Sequence, residues 1–154
     1  MTVSIEVQGQ EEFERKLTPD LYLPTVHTLL KDASKFATEE AQSGAQRDIG
    51  AIARTIGVEV RSPMEIRVRA RHPGAMAAEF GRRAGAPPPP MSALRGWAQR
   101  HGLGGLEFVL ARAIGRRGVR GLFFMRKARE KLARVEMPRL LKKAADEIER
   151  KWSR

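Results

Sequence analysis

The chain has 154 residues, 17.2 kDa, 42% hydrophobic and 31% charged residues, a formal net charge of +11 and no cysteine. That length is expected to give one domain that buries about 68–70% of its extended-chain surface, without a second independent core. Lack of cysteine excludes disulfides, thiolate metal sites and a cysteine nucleophile. The longest apolar run is far shorter than the ~18 residues of a membrane span, so a soluble, unexported chain is expected.

In chain order, "TVSIEVQG" alternates Val3, Ile5 and Val7 with polar residues, the period of a half-buried strand. "QEEFERKL" reads as a short helix. "LYLPTVHTLLKDASKFATEEAQSGAQ" then spaces Val26, Leu29, Leu30, Ala33, Phe36, Ala37 and Ala41 as one face of a long amphipathic helix, with Pro24 in its first turn. "RDIGAIARTIG" reads as a mobile connection or a short strand. "GVEVRSPMEIRVRARHPG" predicts a hairpin turning at "SP". Val58, Val60, Ile66, Val68 and Ala70 lie on its inner face, and Glu59, Arg61, Glu65, Arg67, Arg69 and Arg71 on its solvent face.

"AMAAEFG" predicts a short helix closed by Gly81, followed by "APPPP", a polyproline II rod rising about 3.1 Å per residue. "SALRGWAQRHG" predicts a helix with Ser92 as N-cap, Leu94, Trp97 and Ala98 inward, and Gly102 as its stop. "LEFVLARAIGRRG" and "LFFMRKAREKLARVE" predict two more helices, broken near Gly118 and Gly121. The tail aligns Leu140, Leu141, Ala144, Ala145, Ile148 and Trp152 on one stripe behind Pro138. The expected fold is α+β, a small antiparallel sheet with a long amphipathic helix and several C-terminal helices packed on it. Within this single domain of residues 1–154, an acidic strand–helix part spans 1–56, a basic hairpin-and-helix part 57–134, and a C-terminal helix 137–153.

Charge is unevenly placed. Residues 1–60 carry six Lys/Arg against ten Asp/Glu (−4), residues 61–134 seventeen against four (+13), and residues 135–154 six against four (+2). A basic middle can hold phosphates, and the polarity also lets one copy's basic face meet another's acidic face.

Motifs for chemistry are sparse. His27, His72 and His101 have no His, Asp or Glu at i+4 that would build a metal face. Glu79 is the one candidate general acid or base; beside Arg82 and Arg83, a local ion pair is the plainer expectation. "GLGGLEF" follows a helix rather than a strand, and reads as a hinge rather than a phosphate loop. No serine lies in a nucleophile elbow, so neither catalysis nor a cofactor is expected. Arg67, Arg69 and Arg71, with Arg116 and Arg117, are candidates for a DNA-facing surface that would track phosphates without reading sequence.

Taken together, "HPGAMAAEFGRRAGAPPPPMSALRGWAQRHG", "FVLARAIGRRGVRG" and "LFFMRKAREKL" resemble the gene-product-ten-like family of siphophage and prophage minor tail proteins, also described as neck or tail-completion proteins. The residues that carry the resemblance are Glu79, Phe80 and Gly81; Pro87 to Pro90; Leu94 and Trp97; Ala111, Ile114 and Gly118; and Phe123, Phe124 and Ala128, over roughly residues 72–132. The chain departs from the pattern at Arg82, where a threonine follows the "EFG" glycine, and at Leu122, where a proline precedes the final aromatic element. The resemblance implies a structural virion subunit without enzymatic activity or cofactor, made in the bacterial cytoplasm. Its expected partners are head–tail and tail proteins near the head-to-tail junction. A homo-oligomer, ring-shaped if head-to-tail contacts close, and nonspecific contact with double-stranded DNA are expected with it. Phe80, Pro88, Leu94 and Trp97 are the candidate partner contacts, with the proline rod read either as an assembly arm or as a rigid surface turn that packs Trp97. The alternative is a small nonspecific DNA-binding protein, for which salt-sensitive duplex binding needs no virion partner.

Overall fold

The computed structural model describes residues 18–46 and 50–153. The expected strand at 3–7 and the short helix after it lie outside the described residues. Helix α1 (Pro19–Gln46) begins at a proline whose fixed φ suits the first helical position. Pro24 therefore falls inside the helix rather than in its first turn as expected. The Thr28 hydroxyl donates to the Pro24 carbonyl at 2.9 Å. Ala33, Ala41 and Ala45 are buried along α1, and small side chains on that face let neighbouring elements approach closely.

The segment expected as a connection or strand instead contains a short helix, α2 (Gly50–Ala53), which buries Ile52 and Ala53. Strands β1 (Ile56–Ser62) and β2 (Glu65–Ala70) form the expected antiparallel hairpin, with Val58 opposite Val68, Val60 opposite Ile66, and an irregularity between Val60 and Ser62. Its inner face is buried only at the base. Ile56 is buried and Val68 and Ala70 pack on the core, whereas Val60, expected to face inward, is 59% exposed. The Gln42 side chain donates to the Ile56 carbonyl at 3.0 Å, fixing the hairpin base against α1.

Helix α3 (Ala75–Phe80) leads into strand β3 (Gly81–Arg82). Helices α4 (Met91–Arg100) and α5 (Glu107–Arg117) pack on each other and return through strand β4 (Val119–Arg120), which pairs antiparallel with β3. The expected hinge at "GLGG" is the α4–α5 turn, where Gly102 and Gly105 take positive φ. Ser92 does not cap α4: Pro90 occupies the N-cap position and Ser92 lies within the first turn.

Helix α6 (Phe124–Lys131) continues through one π-helical turn (Leu132–Glu136) into α7 (Met137–Trp152). The Met137 N–H reaches back to the Leu132 carbonyl, widening the turn just before Pro138, which has no N–H to continue the ordinary pattern. Among the described elements α1 provides the main cover for α7, and the buried stripe is narrower than expected. Leu140 and Ala144 are buried, while Leu141 and Ala145 are exposed. The fold is thus α+β. Helix α1 lies between the hairpin with α2 and the α6–α7 rod, around a cluster of Ala41, Ala45, Ile52, Ile56, Ala78, Phe124 and Ala128. No described helix is long and apolar enough to cross a membrane.

A polar clasp joins α1 to α7. The buried Thr25 hydroxyl donates to Glu147 Oε1 at 2.9 Å, and the Lys151 ammonium lies 2.8 Å from the same oxygen. The hydrogen bond from Lys151, then that from Thr25, holds the Glu147 carboxyl below the usual carboxylate range. Because the folded value is lowered, its stabilisation is fully present above the ordinary range and is lost as pH falls through the lowered value. In Lys151→Met the NMR titration midpoint of Glu147 is expected to rise toward the ordinary range. A midpoint that stays put would show that the clasp does not hold the carboxylate.

Candidate functional site

The "EFG" element is built into the fold through contacts made far along the chain. Glu79 is 6% exposed, and its two carboxylate oxygens accept from the backbone N–H groups of Met125 at 2.9 Å and Arg126 at 3.0 Å. These are free N–H groups of the first turn of α6, which has no side-chain cap of its own and is preceded by Phe123 in the left-handed region, φ 54°. The expected ion pair of Glu79 with Arg82 and Arg83 is replaced by this cap. The carboxylate takes an aligned pair of N–H donors at a helix start, while the Arg82 guanidinium donates to the Pro87 carbonyl and Arg83 stays exposed.

Gly81 follows at φ 75° and sits in the β3–β4 ladder, opposite Arg120. Backbone approach there leaves no room for a side chain. A Cβ on Gly118 would lie 2.5 Å from the Arg82 carbonyl oxygen, and one on Gly81 would lie 2.5 Å from the Gly121 nitrogen. The breaks expected at Gly118 and Gly121 are therefore the second half of the ladder.

The proline run, expected as an assembly arm or a rigid surface turn, is held against α5. The Gly85 N–H donates to the Gly115 carbonyl at 2.8 Å, the Arg82 guanidinium donates to the Pro87 carbonyl at 2.6 Å, and a Cβ on Gly115 would meet Pro88 at 3.4 Å. The rod is laid along α5. Between them lies an apolar groove of about 590 Å³, floored by Ala111 and Gly115 and walled by Pro88, Met91, Phe108 and Arg116.

The four candidate partner residues differ in exposure. Phe80 is 62% exposed on α3, and Pro88 lines the groove. Leu94 and Trp97 are half-buried on α4, where the Trp97 ring stacks on His101 with centroids 4.3 Å apart. Sequence reasoning missed Phe108, which is 63% exposed. Phe108, Ala111, Arg112, Gly115 and Arg116 recur at i, i+3, i+4, i+7 and i+8, a stripe that periodicity could have found.

The candidate DNA-facing arginines divide into two groups. On the hairpin, Arg67 pairs with Glu65 at 2.6 Å, and Arg69 and Arg61 pair with Glu59 at 3.0 and 3.2 Å. The hydrogen bond from Arg69, aided by the nearby charges of Arg61 and Arg71, holds the Glu59 carboxyl below the usual carboxylate range against some desolvation. Arg71 is exposed and makes no ion pair with a described residue, as is also true of Arg116 and Arg117 on the last turn of α5.

Among the described residues no group of His, Asp and Glu could hold a metal ion. His72 Nδ1 accepts from the Gly74 N–H at 3.0 Å, a local turn bond. No protein-family description, curated protein or solved structure matches the chain.

Proposed function

We propose that the chain is a structural, non-catalytic subunit of a phage or prophage virion, of the neck or tail-completion type. It binds other virion subunits around the DNA path at the head-to-tail junction. The observation that carries this reading is the distribution of large apolar side chains. Phe124 and Ile52 are the largest fully buried ones among the described residues, and the rest of the core is mostly alanine. Met76 and Phe80 on α3, Met91 beside the proline rod, and Phe108 and Val109 on α5 are all more than half exposed. A chain that leaves several large apolar side chains exposed over a core made mostly of alanine completes its burial against partners.

The resemblance through Glu79, Phe80, Gly81, Pro87 to Pro90 and Trp97 supplies the class of partner. The acidic first third and basic middle supply a polarity suited to head-to-tail contacts, which close into a ring when the rotation permits.

Deleting the gene from the phage or prophage that encodes it is expected to leave filled heads and separate tails in electron micrographs, with infectious titre restored by the gene supplied in trans. Intact infectious particles from the deletion would overturn the reading. In restored strains, Phe80→Asp and Phe108→Asp, which change exposed side chains outside the core, are expected to lower titre at least about tenfold while the purified proteins melt close to wild type.

A further inference from the structure

We infer that the junction where β3 meets β4 is a binding site for the phosphate backbone of double-stranded DNA, contacted by Arg83, Arg112, Arg116, Arg117 and Arg120. For its biological setting the inference rests on the proposed position beside the DNA path; the binding itself is a property of the isolated protein.

The junction is assembled by the ladder. Pairing of Gly81 with Arg120 and of Arg82 with Val119 sets two arginine-rich segments, far apart in the chain, at the ~5 Å spacing of adjacent strands. The Arg83 backbone lies against Gly118, where a Cβ would approach its carbonyl carbon to 3.0 Å, so Arg83 sits beside the residue that follows Arg116 and Arg117. Arg112 and Arg116, one helical turn apart, line the same groove.

All five side chains are exposed, and none forms an ion pair among the described residues. From residue 71 to 129 the chain carries twelve Lys or Arg and two acids, Glu79 and Glu107, a net +10. Both acids are engaged by backbone. Glu79 caps α6, and Glu107 accepts from the Gly105 N–H at 3.3 Å.

Arg67 and Arg69 on the hairpin differ in this respect. A phosphate arriving at Arg67 or Arg69 must displace Glu65 or Glu59, whereas one arriving at the junction displaces only water and counterions. Unpaired guanidiniums offer forked donors that match phosphate oxygens. A duplex fits better than a single strand because Phe80 and Phe108 are the exposed large aromatics among the described residues, too few for a series on which successive bases could stack.

Fluorescence anisotropy of the full chain with a labelled random-sequence duplex, over about 50–200 mM salt, tests the site. Wild type is expected to bind with a log–log salt dependence that is linear and steep. The variant Arg116→Ser/Arg117→Ser/Arg120→Ser is expected to bind at least about tenfold more weakly, with the slope shallower by about three, while lysine at the same three positions retains most of both. The hairpin variant Arg67→Ser/Arg69→Ser is expected to stay within about threefold of wild type.

A junction variant with the wild-type slope, a hairpin variant that loses as much as the junction variant, or no wild-type binding at the lowest salt would each overturn the site. If the triple serine variant does not fold, Arg117→Ser alone carries the test with a slope change of about one. Particle formation after gene deletion reports on the virion role separately, so either reading fails without the other.

Discussion

Replacing Gly81 by alanine is expected to lower stability by about 3 kcal/mol or more, a large part of the ~5–15 kcal/mol that holds a domain of this size together. Two effects act at once. The residue sits at φ 75°, ψ −164°, a region that only glycine occupies readily, and an added Cβ would fall against the Val119 carbonyl oxygen and the Gly121 nitrogen. Those atoms are backbone on the facing strand and cannot swing aside, so the ladder must separate.

Two other glycines isolate the terms. Gly85 shares the positive φ, at 80°, but has open space around its Cβ direction, so Gly85→Ala is expected to cost only about 1 kcal/mol. Gly57, in the β1 interior, has neither constraint, and Gly57→Ala is expected to be neutral or slightly stabilising. Thermal melts of the three variants check the order. With roughly 2–4 °C per kcal/mol, Gly81→Ala should melt at least about 6 °C below wild type. A melt superimposable on wild type would mean the ladder is not held closed.

Glu79→Ala is expected to cost about 2–3 kcal/mol, and Glu79→Gln somewhat less. Alanine leaves the Met125 and Arg126 N–H groups without partners at the start of a helix whose next residues, Phe124 and Ala128, are core. Glutamine keeps one acceptor but turns its NH₂ toward the second donor, so one bond is lost. Urea denaturation gives the free energy, and amide hydrogen exchange gives the location. The Met125 and Arg126 amides should exchange faster than those in the middle of α1, and unchanged protection there would dispose of the cap.

In this chain the fold ties the "EFG" string to the "GVRG" segment about 40 residues downstream. Glu79 caps the helix that follows the second string, and Gly81 packs against its backbone. Phe80, between them, is left outside and free to meet a partner.

Elements governed by local spacing were legible from the residues alone. The alternation from Val58 to Ala70 predicted the hairpin, and the i, i+3, i+4 recurrence from Val26 to Ala41 predicted α1, because side-chain direction follows the backbone period wherever one face must be buried. The helix of "AMAAEF" closed by Gly81 was legible for the same reason, since a glycine with positive φ ends a helix without needing a distant partner. Caps and depth were not. Ser92 matched the composition of an N-cap but lay two residues past it, inside the first turn, and Val60 matched the inner face of a strand but projected past the helix that covers its base.

The arginines show the same division. Their number and their excess over acids follow from composition. Which of them carry uncompensated charge does not, since it depends on Glu59 and Glu65 lying across and along the hairpin and on Glu79 turning away to α6. Glu79 and its two N–H partners are 46 and 47 residues apart. Periodicity reports only on neighbours within a few residues, whereas a cap, a ladder and a charge cluster are made by the loop closures that bring such distant groups together, so these became readable only once the chain was folded.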